Sequence, residues 1–341
     1  MGVTLHDVAR AAGVSIKTVS EVVNRSDRVA PATRARVEAA VAALGYTPNL
    51  SARRLRSGRT GVIGLAIPEL TASGYFSELA SAVVDAAERL GLVVLVEQTG
   101  ADRAKELAAL TSARRSMTDG LLLNAVSLRP EDLEDLPPTT TPTVLLGERR
   151  LGDRFDHVTF RNADAAHAAT THLLQRGRRR ILLLAGDPTL SASAATRLDG
   201  FTRALDDAGV PHDPALVVGA GMWDHEGGLH ATRDALARGL RFDAVLGMND
   251  ALALGAMRAL HDAGLSIPGD VAVVGFDDII ESRHSHPRLT TVDPDRAGIA
   301  DQALALLLAR VAAKGAGEPA RYVERDFTLV ARESTDLPVV A

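Results

Sequence analysis

From residue 61 onward, short apolar runs alternate with stretches of helical periodicity, and this alternation restricts the fold more than any other feature of the chain. VIGLAI is followed by a helix from about Phe76, LVVLVE by one from Asp102, and GLLLN and TVLLG complete a first set. A second set begins near Asp164 with a helix. It continues with RILLLAGD, a helix through Arg197 to Ala208, a strand around Val217 and a helix after Asp224, and ends with FDAVLGMND, a helix from Ala251 and VAVVGFDD. Near-continuous apolar strands separated by helices belong to parallel sheets covered on both faces. The fold class is therefore α/β, with two similar doubly wound parallel-sheet halves.

In open sheets of this kind, ligands bind beyond the carboxyl ends of the strands. Polar residues gather at those positions here. Asn249 and Asp250 follow AVLGM, Asp277 and Asp278 follow VAVVGF, and Arg197 comes shortly after the strand that ends at Ala185-Gly186-Asp187. Carboxylates accept hydroxyl protons, a guanidinium donates a fork and an amide does both, so the set suits a hydroxyl-rich ligand. The chain has only eleven aromatic residues, and Tyr75, Phe76, Trp223 and Phe276 all follow strands, where an apolar sugar face can stack. Phe276 fits a core position equally well, Asp278 a turn cap, and Asn249 a cap on the next helix.

The first 60 residues differ in kind. They hold ten bases against four acids, a charge of +6, which leaves −11 on the rest of a chain whose net charge is −5. A basic head on an acidic body suits a polyanion-binding module joined to a separate domain. Leu5, Val8, Ala9 and Ala12 fall at i, i+3, i+4 and i+7, with Thr4 and Asp7 in capping-box spacing. Gly13 punctuates, and Ser15 caps a second helix to about Asn24, giving a helix-turn-helix. Val19, Val22 and Val23 share its inner side, while Lys17, Ser20, Glu21 and Asn24 share the outer. A third helix has Pro31 near its start, Val37, Val41 and Leu44 as its buried stripe, and Gly45 after its end. The segment NLSARRLRSGRT that follows is too short and too charged to be a stable helix alone. It reads either as an arginine-rich linker or as a hinge that orders on DNA, with Arg53 along a groove and Leu55 wedged between base steps.

Several chemistries are disfavoured. Without cysteine there are no disulfides, thiolate nucleophiles or Cys-type zinc sites. HEGGLH at 225 to 230 spaces its histidines five apart, about 140° around a helix, unlike the i, i+4 pair of a zinc protease. HSHP at 284 to 287 is a weak metal motif, and neither a phosphate loop nor a nucleophile elbow is present. No metal and no cofactor is expected. MGVTLHDVARAAG lacks the apolar core of a signal peptide and no stretch offers 18 uninterrupted apolar residues, so the expected location is the cytoplasm, with no membrane partner. Two other readings stay open on the residues alone: a sugar-binding receptor without a DNA role, and a sugar-processing enzyme using Asp277 and Asp250.

VTLHDVARAAGVSIKTVSEVVN followed by RVAPATRARVEAAVAALGYTPNLSARRL closely resembles the N-terminal domain of the lactose- and galactose-repressor (LacI/GalR) family of bacterial transcription regulators, and the resemblance runs along nearly the whole chain. It implies a helix-turn-helix head (1–48), a hinge (49–60) and a periplasmic-binding-protein-like body (61–341). The body would divide into one subdomain of about 61–160 and 289–319 and another of about 161–288 and 320–341. Position by position, it implies that Ile16, Lys17 and Glu21 read base edges, that Ser15, Thr18, Ser20 and Asn24 contact phosphates, and that Ala52 and Leu55 form a minor-groove wedge. ASAATRLDGF carries the effector-contacting Arg197, MNDALALGAMRAL the Asn249 and VVGFDD the Asp277; with Tyr75, Phe76 and Trp223 these make the expected effector site. The partners implied are a near-palindromic double-stranded operator, a sugar-like effector and a second copy of the chain.

The sequence departs from the family pattern at two places. TVLLGERR has Gly147, with Glu148 beside it, where a strand-end aspartate is common. Glu21 stands where arginine is usual; a glutamate can accept from cytosine N4 where arginine reads guanine. After Phe327 no leucine heptads follow, so a coiled-coil tetramer is not expected.

Overall fold

The computed structural model describes residues 3–23, 29–46, 59–111, 117–134, 136, 141–189, 191–313 and 318–336. The chain divides into two compact units, Met1–Thr60 and Gly61–Ala341.

In the first unit, Thr4 and Asp7 cap helix Leu5–Ala12 reciprocally, the Thr4 amide donating to Asp7 Oδ2 at 3.0 Å and the Asp7 amide to Thr4 Oγ1 at 3.4 Å. Gly13 leaves the helix at φ +61°, a conformation that costs glycine nothing. Ser15 Oγ accepts the Thr18 amide at 3.1 Å and so starts helix Ile16–Val23. The third helix, Pro31–Leu44, opens on proline and closes on Gly45. Val8, Val19 and Val37 form the buried centre with Ala9, Ala12, Val22, Val29, Ala40 and Tyr46. Leu44, expected in this stripe, is 37% exposed. Gly45 turns the chain so that the Tyr46 amide donates to the Val41 carbonyl, and the Tyr46 ring closes the end of the core instead.

The second unit has two lobes. Strands β1 (Val62–Ile67), β2 (Val93–Gln98), β3 (Gly120–Asn124), β4 (Thr143–Leu146) and β5 (Asp156–Phe160) belong to the first; β6 (Ile181–Ala185), β7 (Val217–Gly219), β8 (Ala244–Gly247) and β9 (Ala272–Val274) form the second in the order β7-β6-β8-β9. After β10 (Thr291–Asp293) and helix Arg296–Ala312, β11 (Tyr322–Arg325) pairs with β5 and completes the first sheet as β11-β5-β4-β3-β1-β2. Every pair in these two sheets is parallel, whereas β12 (Thr328–Val330) runs antiparallel to β10. Strand β3 shows why the runs are apolar throughout: Leu122 enters one core with Leu79 and Val83, while Leu121 and Leu123 enter another with Leu110.

The third crossover falls later than the expected residue 320, because β11 still belongs to the first sheet; the chain returns to the second lobe through β12. Strand β5, DHVTF, lacks the apolar run that marks the others. Its Asp156 is fully buried and accepts from Arg310 Nε at 2.8 Å, Arg310 Nη2 at 2.7 Å and the Arg321 amide at 2.7 Å. Among the described residues, no helix is long and apolar enough to cross a membrane.

Candidate functional site

Two surfaces carry the residues singled out by the sequence. In the head, Ser15, Ile16 and Lys17 are exposed and Thr18, Ser20 and Glu21 half-buried; Lys17, Ser20 and Glu21 lie on the side of helix Ile16–Val23 away from the buried Val19 and Val22. The Ser15 and Thr18 hydroxyls lie 2.9 Å apart, so one helix start holds two hydroxyls side by side. Asn24, Ala52, Arg53 and Leu55 lie outside the described residues.

In the body, a cavity of about 300 Å³ collects all six expected effector residues: Tyr75, Phe76, Arg197, Trp223, Asn249 and Asp277. Tyr75 and Phe76 open helix Tyr75–Arg89, with ring centroids 5.2 Å apart and nearly perpendicular planes. Burial, and after it the nearby Glu148, pushes the Tyr75 hydroxyl well above the ordinary tyrosine value, so it serves as a neutral donor. Asn249 both caps helix Asp250–Asp262, accepting the Leu252 amide at 2.8 Å, and donates Nδ2 to the Trp223 carbonyl at 2.9 Å. The cap reading and the site reading of Asn249 therefore coincide: its amide holds the Trp223 backbone at the cavity.

Arg197 is buried at the centre. Its Nε donates to Asn162 Oδ1 at 3.0 Å and its Nη1 to the Met248 carbonyl, and its guanidinium carbon sits 3.9 Å from the Phe276 ring centroid. Phe276 does not line the cavity; it supports Arg197 from behind, beside Phe160. Asp277 is buried with φ +111°, a strained conformation for a residue with a Cβ, and its Oδ1 has no hydrogen-bond partner. Burial pushes its carboxyl up to about 8, against the pull of Arg197.

The neighbouring acids do other work. Asp278 is buried between Arg283 Nη2 at 2.8 Å and Arg332 Nη2 at 2.5 Å. Asp250, pushed up to about 7 by burial, accepts from Thr291 Oγ1 at 2.5 Å, Ser282 Oγ at 2.7 Å and the Ile279 amide at 3.0 Å. It fastens the turn after β9 to β10 and is not a lining residue of the cavity, so it forms no dyad with Asp277 there.

Glu148 is the lining residue that strand-end reasoning flagged but did not place in the site. Gly147 has φ +88°, and a Cβ on it would stand 3.1 Å from the Asn124 amide, so the acid after β4 is carried one residue later. From there it crosses between the lobes: Oε1 accepts Asn162 Nδ2 at 2.8 Å and Oε2 accepts Ser193 Oγ at 2.6 Å.

Residues 4–49 match the model of bacterial regulatory proteins of the lacI family, and residues 170–335 that of the periplasmic binding protein-like domain. The HTH-type transcriptional regulator GalR of Escherichia coli (strain K12) is 34% identical over 337 residues, covering 98% of this chain and 96% of that protein. The chain belongs to the lacI family.

Solved structures of lacI-family proteins agree in architecture. One from Sanguibacter keddieii DSM 10542 has a TM-score of 0.76 at 46% identity, covering 82% of this chain and 99% of that one. The Lac repressor dimer bound to operator and the anti-inducer ONPF has a TM-score of 0.82 at 30% identity, covering 98% and 99%. The relatives are regulators rather than enzymes, and this lacI-family chain is a transcriptional regulator with a helix-turn-helix head and a two-lobed parallel-sheet body.

Proposed function

We propose that the protein is a repressor that binds a palindromic operator as a homodimer and is controlled by a small hydroxyl-rich effector held between the lobes of its body. The observation that carries the ligand half is the convergence of Tyr75, Phe76, Arg197, Trp223, Asn249 and Asp277 on one cavity. Aromatic faces beside a buried carboxylate and guanidinium match a sugar's apolar face and polar rim. A ligand there bridges the lobes and favours one of their arrangements over another. By linkage, operator and effector then change each other's affinity by the same factor.

On the head, Ser15, Thr18 and Ser20 contact phosphates, and Ile16, Lys17 and Glu21 read base edges. An exposed apolar side chain such as Ile16, 36% accessible on a basic module, supports this reading. Asn24, Ala52, Arg53 and Leu55 extend the same interface, with the hinge at 49–60.

The dimer reading is supported by exposed apolar residues around one sheet edge of the body. Val84 is exposed on helix Tyr75–Arg89, Leu90 in the turn after it, and Val93 and Leu95 on one face of edge strand β2 with Val96 on the other. Apolar residues at an open sheet edge are a liability unless a second copy covers them.

The test is operator selection from a random duplex library with the full chain, repeated with residues 61–341 alone. Salt-sensitive binding to a palindrome by the full chain only is the expected result. Equal operator binding by the shortened chain would refute the head assignment. A thermal-shift screen of sugars and nucleosides tests the cleft, since a ligand stabilises the folded body by mass action.

A further inference from the structure

The charge of the cleft is unusual for a site centred on an arginine. Among the described residues lining it, Arg197 is the single base. Its Nε and Nη1 are engaged by Asn162 and the Met248 carbonyl, and its Nη2 lies 3.7 Å from Asp277 Oδ1 and 3.9 Å from Glu148 Oε1. Glu148 and the Asp277 carboxyl thus both face one guanidinium whose Nε and Nη1 are already engaged. The other two lining acids are occupied elsewhere: Glu69 accepts the amides of Thr71, Ala72 and Ser73, and Asp224 accepts that of Gly227.

We propose that Glu148 sets the ligand class of the cleft by neutralising Arg197, so that the bound molecule is a polyhydroxylated compound without an acidic group, neutral or amine-bearing, whose donor meets Asp277 Oδ1. The inference rests on the cleft being the effector site. An anionic group drawn to Arg197 would have to displace Glu148 or sit beside it in a site where charges are weakly screened. A hydroxyl or ammonium instead supplies the donor that the buried Asp277 oxygen lacks. Glu148 is well placed to hold its position, because Asn162 and Ser193 orient both of its oxygens.

The experiment is thermal shift, followed by calorimetry, on the full chain with matched probes. Neutral hexoses, pentoses, disaccharides and nucleosides are each compared with their phosphorylated counterparts, and the hexoses also with their uronates and 2-amino derivatives. The expected result is stabilisation by one or more neutral or amino members and none by the acidic member of the same series. Stabilisation by an acidic member equal to or above that of its neutral parent overturns the role of Glu148 while leaving the cleft as a ligand site. No stabilisation in any series removes the cleft reading, and this inference with it. For a series that binds, Glu148→Gln keeps one acceptor oxygen for Asn162, turns an amide N–H toward the Ser193 hydroxyl, which can accept it, and drops the charge. It should improve the affinity of the acidic member relative to the neutral one by at least about tenfold; an unchanged ratio overturns the proposal. The wild-type comparison stands independently of how that variant folds.

Discussion

Asp277 Oδ1 lies 3.7 Å from Arg197 Nη2, near enough to feel its charge and too far to accept its hydrogen bond. That spacing leaves a buried oxygen unsatisfied, and burial leaves a carboxyl that gives up its proton only near 8. In the unfolded chain the same group titrates near its ordinary 3.8. Between those values the native state holds a proton that the unfolded state has lost, so this residue's contribution to stability declines as pH rises through the window and is level above it. Asp277→Asn removes that slope. Its melting temperature relative to wild type should therefore climb from about pH 5 to about pH 8. A difference that stays constant with pH would mean that Asp277 does not titrate there.

The head offers a pair of substitutions with opposite signatures. Lys17→Ala, which removes a positive charge as well as a base-edge contact, should weaken binding to every operator sequence, reduce the slope of log affinity against log salt by about 1 and relax preference at one base pair. Glu21→Ala should relax preference at one base pair by about 1–3 kcal/mol while non-specific affinity is unchanged or higher. Binding competition over all single-base operator variants, repeated across salt concentrations, separates the two. Unchanged preference at every position in the Glu21 variant would reduce that residue to a solvated neighbour of the interface.

Much of this architecture was legible because apolar runs announce strands buried on both faces, and because ligand groups follow strand ends. That rule gathered Arg197, Asn249 and Asp277 together with Asp250 and Asp278; the family resemblance singled out the first three, and these line one cavity. It failed where burial is achieved by pairing rather than by apolar character. DHVTF hides a buried aspartate satisfied from Arg310 and Arg321, which lie more than 150 residues away in the chain. The same long-range pairing keeps β11, with alternating half-buried residues, in the first sheet beyond the expected crossover. Phe276 illustrates a subtler limit. A strand-end aromatic can face the ligand or the core, and only the Arg197 guanidinium at 3.9 Å from its ring decides which.

Edge strand β2 gives a third test. Leu95 is exposed on the single chain, on the same face of β2 as the exposed Val93. Leu95→Glu places a charge in the proposed self-interface, where it would be desolvated without a partner. Sedimentation should show the variant shifted toward monomer at concentrations where the wild type is dimeric, and operator affinity should fall with it. The fold itself should survive, since the side chain packs against no core in the single chain. A variant that remains as dimeric as the wild type would place the interface elsewhere.

The strained turn at Asp277 and Asp278 is held from the opposite lobe. Both residues have positive φ, and Arg296 donates to both of their carbonyls, Nη1 to Asp277 and Nη2 to Asp278 at 3.0 Å. Arg296 is itself paired with Glu78 at 2.8 Å, and Glu78 accepts the Ile280 amide at 2.7 Å. Arg296 is nearly buried, so removing it takes the donor from the Asp277 carbonyl, leaves the Asp278 carbonyl with only Arg283 Nη2 at 3.4 Å, and leaves Glu78 Oε2 without its cation. Arg296→Met should cost about 3 kcal/mol in chemical denaturation, the lower end for a broken buried pair because Glu78 retains some access to water. Glu78→Gln should cost less. Because the two side chains act in one network, the double variant should lose clearly less than the sum of the single losses. Additive losses would show that Arg296 and Glu78 hold the turn independently.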